Sequence, residues 1–148
     1  MNGLNGIGVK VVHVGGNGNA HAVLREIEAR LQLLVEKGEE GSIDLSGLPL
    51  MPEDYDLLEE TLGEGEVVAE VHSLGPTRIH ETGIPGVWWV THYNSDDEVL
   101  AEFIEVAWCP EILLTPEDDV KDGLEALRAR LFELNPKSPL GGAPSLDL

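Results

Sequence analysis

Apolar residues fall along this chain in two rhythms, and the change of rhythm divides it. Over residues 20–37, Ala20, Leu24, Ile27, Leu31 and Leu34 recur every three or four positions, the stripe of an amphipathic helix. Asn19 stands where an N-cap belongs, and Gly38 where a helix stops. A short apolar run at 42–45 reads as a strand entering a turn. Pro52, Glu53 and Asp54 then open a second helix: proline suits the first turn, the two carboxylates face the positive helix end, and Gly63 suits the exit. Met51, Tyr55, Leu58 and Leu62 mark its buried side. Beyond it the period drops toward two. Strands are predicted at 66–73, 77–82, 87–93 and 99–109, divided by Gly75-Pro76, Pro85-Gly86 and Asn94-Ser95-Asp96-Asp97, which are turn sequences. A third helix starts with Thr115, Pro116 and Asp118 in a capping-box-like arrangement, with Val120, Leu124, Leu127 and Leu131 as its apolar stripe.

These elements imply one domain over 19–134. The lead, 1–18, is rich in Gly and Asn around an apolar run at 7–14 that reads as a short strand. The tail, 135–148, lacks periodicity and reads as flexible. Short connections make hairpins, so the predicted class is α+β: a largely antiparallel sheet of about four to five strands with three helices packed mainly on one face. If the turn after Tyr93 sets that residue opposite Val99, Trp89 faces Phe103 and Trp88 faces Ile104. Both faces of that hairpin then carry large apolar groups. Helices cover one, and the other calls for a second layer, a dimer mate or a partner.

Charge narrows the classes of partner. The 148 residues hold 28 Asp and Glu against 9 Lys and Arg, a formal charge of −19. Nucleic acid and anionic membrane both need a basic footprint, so neither is expected as a partner. The single cysteine, Cys109, excludes an internal disulfide and cannot alone build a thiolate metal site. No apolar run is long enough to span a membrane, and the start lacks the features of a secretory signal; the expected location is the cytoplasm.

The run after Val14 imitates a dinucleotide fingerprint but breaks at its last position, where His21 replaces the small residue that helix–strand contact needs. His72, His80 and His92 lie on three predicted strands and, with Cys109 or Glu81, offer metal ligands without any tight ligand spacing. Alternation puts His80 on the face of Arg78, whose charge disfavours a cation. Cys109, between Trp108 and Pro110, has no sign of activation. No cofactor and no catalytic residue is assigned. What stands out is Arg78, the sole Lys or Arg between Lys37 and Lys121, among 21 acids between Gly38 and Val120. With the neighbouring aromatics it suggests a protein-binding surface of Arg78, Glu81, Trp88, Trp89, Tyr93, Phe103 and Trp108.

Four phrases carry a resemblance: SIDLSGLPL, PEDYDLLEETLGEGEV, TRIHETGIPGVWWVTHYN and LAEFIEVAWCPEIL. In this order they resemble the C-terminal domain of the HupH/HyaF/HoxQ family over about residues 20–119. The resemblance implies a non-catalytic accessory role, in the cytoplasm, in maturing uptake [NiFe]-hydrogenase. It also implies a partner: the iron–sulfur small-subunit precursor, which carries a twin-arginine export signal, or another maturation factor. The matching positions are Leu48, Pro49, Gly63, Gly65, Glu66, Arg78, Glu81, Thr82, Pro85, Gly86, Trp88, Glu102 and Glu105, none with a catalytic role to transfer. The chain is about half the length of the fuller members, with one copy of the domain; a homodimer or a separate protein is expected to supply the rest. The alternative is a metal- or cluster-handling protein using His72, His80, His92 and Cys109.

Overall fold

The computed structural model describes residues 18–136, so the predicted strand at 7–14 and the tail beyond 136 lie outside the described residues. Helix α1 (Asn19–Lys37) leads into strand β1 (Gly41–Asp44) and helix α2 (Pro52–Leu62). Strands β2 (Val68–Val71), β3 (Thr77–Glu81), β4 (Val87–Tyr93) and β5 (Val99–Val106) follow, then a 3₁₀ turn (Glu111–Leu113) and helix α3 (Glu117–Leu134). The strands form one five-stranded sheet in the order β1-β5-β4-β3-β2. Every neighbouring pair is antiparallel, as short connections require. The fold is α+β.

The described residues divide into two compact units, the first ending at Pro110 and the second beginning at Glu111. In the first, α1 and α2 pack on one face of the sheet. Val23, Ile27 and Leu34 of α1 and Leu58 and Leu62 of α2 bury themselves against Ile43, Val87, Trp89, Ile104 and Val106. Such burial supplies the main driving force for the fold. One carboxylate joins the two helix starts: Asp54, 3% exposed, accepts from the backbone N–H of Ala20 (3.3 Å) and of Met51 (3.0 Å). It thereby satisfies orphan donors at both N-termini. Helix α1 ends at Gly38, whose φ of 70° is left-handed and whose N–H returns to the Leu34 carbonyl at 3.0 Å.

Several local expectations needed correction. Asn19 is the first helical residue, with left-handed Gly18 at the N-cap position, and its amide instead donates to the Pro49 carbonyl. Met51 is 42% exposed because it precedes α2 rather than riding on its buried side. Thr115, Pro116 and Asp118 provide no side-chain cap to α3; Pro116 occupies the N-cap position. Strands β2 and β5 are shorter than 66–73 and 99–109.

The largest correction concerns register. Tyr93 does lie opposite Val99, but His92 lies opposite Ala101, so Leu100 is an extra residue in β5. That bulge moves every later pair by one: Trp89 faces Ile104, Trp88 faces Glu105 and Val90 faces Phe103. Since side chains alternate, a one-residue slip exchanges the two faces of a strand. Phe103 therefore lies on the face of Trp88 and Val90, opposite the helices. Ile79, Trp88 and Val90 on that face are buried as well.

In the second unit, α3 opens with Glu117, Asp118 and Asp119 at its positive end. Lys121 approaches Glu117 and Asp118 at 4.0 and 3.9 Å, and Arg128 approaches Glu125 at 3.4 Å. Val120, Leu124, Leu127 and Leu131 form the expected stripe, all exposed.

Candidate functional site

The helices cover only part of their sheet face. Past Trp89 the same face carries polar residues, and there the surface sinks into a cavity of about 340 Å³. Antiparallel pairing lays its floor in rows. Val68, His80, Trp89 and Ile104 form one row, and Glu70, Arg78, Thr91 and Glu102 the next. Alternation points both rows to one side because they lie two residues apart on each strand. Glu59, on the turn of α2 next to buried Leu58, and Glu64 and Gly65 beyond α2 close one wall; Tyr93 lies at another. Gly65 is required for this approach: a Cβ there would meet the Thr82 carbonyl oxygen at 2.6 Å and Glu81 Oε1 at 2.8 Å.

Glu102 is the most constrained of these groups. Its Oε2 accepts from Trp89 Nε1 at 3.0 Å and from Thr91 Oγ1 at 3.4 Å. Its backbone N–H donates to Ser46 Oγ at 2.8 Å, and its carbonyl accepts from the Leu45 N–H at 2.9 Å. The loop after β1 thus fixes the carboxylate from behind. The Trp89 indole is fixed twice, by that bond and by His80, stacked on it with ring centroids 6.1 Å apart and planes 12° from parallel. Nearby, the Tyr55 phenol is held above its ordinary value of 10.0, first by burial and then by the charges of Glu102 and Asp44. Glu81 Oε1 accepts from the Glu66 N–H at 3.2 Å. Four carboxylates, Glu59, Glu64, Glu81 and Glu102, line the cavity against one guanidinium, Arg78. The cavity is built to attract positive charge, with a single cation to set where it goes.

Of the seven residues expected to bind a partner, Arg78, Glu81, Trp89 and Tyr93 meet at this cavity. Trp89 is only 4% exposed and serves as its floor. Trp88 and Phe103 lie on the opposite face. Trp88 is 8% exposed and its Nε1 donates to the Ala107 carbonyl at 3.1 Å, while Phe103 meets the edge of the His92 ring. Trp108 follows β5 and is 68% exposed. The sequence pattern does not mark Glu59, Glu64, Val68, Thr91 or the central place of Glu102 as belonging to a site. Finding them needs the β5 bulge and the approach of α2 to the sheet, which no local pattern announces.

The residues considered for a metal do not converge. His80 stacks in the cavity, whereas His92 lies on the opposite face, where its Nδ1 shares a 2.8 Å hydrogen bond with Thr77 Oγ1. His72 lies beyond β2, 3.6 Å from exposed Glu70, and Cys109 is half-buried after β5. Among the described residues, no three His, Cys, Asp or Glu side chains are gathered so as to hold a metal ion. No helix among them is long and apolar enough to cross a membrane.

Comparison with known proteins agrees with this architecture. The model of the HupH hydrogenase expression protein, C-terminal conserved region, matches residues 18–134. The hydrogenase expression/formation protein HoxQ of Azotobacter vinelandii is 38% identical over 87 residues, 59% of this chain and 31% of that protein. The corresponding HupH of Rhodobacter capsulatus is 36% identical over 110 residues, 74% of this chain and 40% of that protein. The chain therefore matches well under half the length of these curated relatives. A solved structure, the hydrogenase expression protein HupH from Thiobacillus denitrificans, is 44% identical with a TM-score of 0.76, and the match covers 80% of this chain and 99% of that one.

Proposed function

The chain belongs to the family of the HupH hydrogenase expression protein C-terminal region, and on that premise we propose that it is a non-catalytic accessory factor in hydrogenase maturation. In this reading it acts in the cytoplasm and holds the iron–sulfur small-subunit precursor before export. The relatives' names, hydrogenase expression/formation proteins, support the process. The observation that carries the binding role is the carboxylate-lined cavity on the uncovered part of the sheet face. Four carboxylates in a recess with an aromatic floor favour a basic segment of a partner through long-range attraction and local pairing. Arg78 restricts the pose, because an entering cation must sit beside the carboxylates and clear of the guanidinium. The residues matched to a partner are then Arg78, Glu81, Trp89 and Tyr93 at the cavity, with Trp108 as a separate exposed contact. Buried Trp88 and half-buried Phe103 on the far face support the sheet from behind.

Capture of the small-subunit precursor on immobilised protein tests the reading, with and without the precursor's export signal. Retention of both forms removes the signal as the target, and retention of neither removes the precursor as the partner. A strain lacking the gene should fail to process the small subunit in air. Normal processing in air would overturn the proposed role.

A further inference from the structure

Strand β2 is an edge of the sheet, and among the described residues nothing pairs with its outer side. Its inner side is paired through alternate residues. The Glu81 N–H donates to the Val67 carbonyl at 2.8 Å, which makes Val67 and Glu81 a hydrogen-bonded pair. In an antiparallel ladder such pairs alternate, so the N–H and C=O groups of Val68 and Glu70 point away from β3 into open space. The edge is also apolar where it is open, with Val67 44% and Val68 67% exposed. Protected edges usually carry lysine, proline or a covering loop; this one carries glutamate and valine. Val68 is at once an edge residue and part of the cavity wall, so a strand laid along β2 would run beside the carboxylates.

We propose that the outer edge of β2 receives an extended, basic segment of a partner protein as a sixth strand. The inference rests on the reading of this chain as a protein-binding factor and specifies how it binds. Backbone groups of Val68 and Glu70 supply the ladder, Val68 is covered, and the segment's lysine or arginine side chains reach back toward Glu59 and Glu64. Because strand side chains alternate, the basic residues that share the cavity side are two positions apart. Charge complementarity decides the occupant: a chain of net charge −19, with carboxylates around this edge, repels a second copy of itself and attracts a basic strand.

The test uses a fluorescent eight-residue peptide alternating Lys and Val, with an alternating Glu and Val peptide as control. Anisotropy should show the basic peptide bound and the acidic one not. Binding should protect the Val68 and Glu70 amides from hydrogen exchange in the unmodified chain, a readout that needs no variant. Glu70→Pro removes an N–H that the fold does not use and should weaken binding about tenfold. The double variant Glu59→Lys, Glu64→Lys should weaken it about tenfold and flatten its salt dependence. Binding without protection of those amides overturns the proposal. So does equal binding of the acidic peptide, or protection that grows with protein concentration in the absence of peptide, which would make the edge a homodimer contact. If the precursor is captured equally by Glu70→Pro, the accessory role stands and the edge is not its means. If the peptide binds as described and the precursor is not captured, the edge site stands and the assigned partner falls.

Discussion

One face of one sheet has two unlike halves. Under α1 and α2, Val87, Ile104 and Val106 are fully buried. Farther along the sheet, Arg78, Thr91 and Glu102 edge a recess that the helices leave open, with Glu59 of α2 at its wall. Trp89 stands between them, its ring in the core cluster and its Nε1 bonded to the carboxylate of the recess. The difference teaches that a packed core and an open acidic recess occupy adjacent stretches of a single strand. Residues are assigned to one or the other by how far the helices extend.

Substitutions on each side should separate the two roles. The largest loss is expected for Trp88→Ala, which removes a buried indole and its bond to the Ala107 carbonyl: about 3–5 kcal/mol in denaturant unfolding. Trp108→Ala, at an exposed indole, should change stability by less than about 0.5 kcal/mol. If the two indoles behave alike, burial does not distinguish them. Ile104→Ala, in the covered half, should cost about 2–5 kcal/mol. Its counterpart in the open half, Arg78→Ala, should stay within about 0.5 kcal/mol in the same assay. That variant should also tighten the basic peptide a few-fold by removing the one cation from the cavity.

A finer test concerns the boundary itself. Glu102→Gln keeps an acceptor for Trp89 but loses the charge, and should cost about 1 kcal/mol. It should also bring the Tyr55 phenol closer to 10.0 in an ultraviolet titration, because Glu102 is the second cause of its raised value, after burial. The smallest effect is in pH dependence. Tyr55 holds its proton more tightly in the folded chain than in the unfolded one. The resulting stabilisation is complete below pH 10 and is lost as pH rises through the folded value. Alkaline unfolding scans should therefore fall more steeply in the native chain than in Tyr55→Phe.

Much of the fold was legible because its signals are local. The three- and four-residue spacing of Ala20, Leu24, Ile27, Leu31 and Leu34, Pro52 before two carboxylates, and the turn residues after Tyr93 each bias only their own neighbourhood, and each lies in or beside the expected element. The shared direction of Arg78 and His80 followed from alternation within one short strand. The cavity was not legible as a whole. Its walls come from α2, the segment after it and four strands, and one extra residue in β5 decides that Glu102 rather than Ala101 faces Thr91.

Among the described residues, the sequence alone determined which segments are helix and strand, the antiparallel topology that short loops allow, the acidic field and the lone arginine within it. Tertiary structure decided which tryptophans are core, which histidines are apart, and where the field is concentrated. The physical reason is range. Propensity, capping and periodicity act over a few residues, whereas burial and register depend on what arrives from tens of residues away. Leu100, a single unpaired residue among paired ones, exchanges the faces of everything that follows it in the strand.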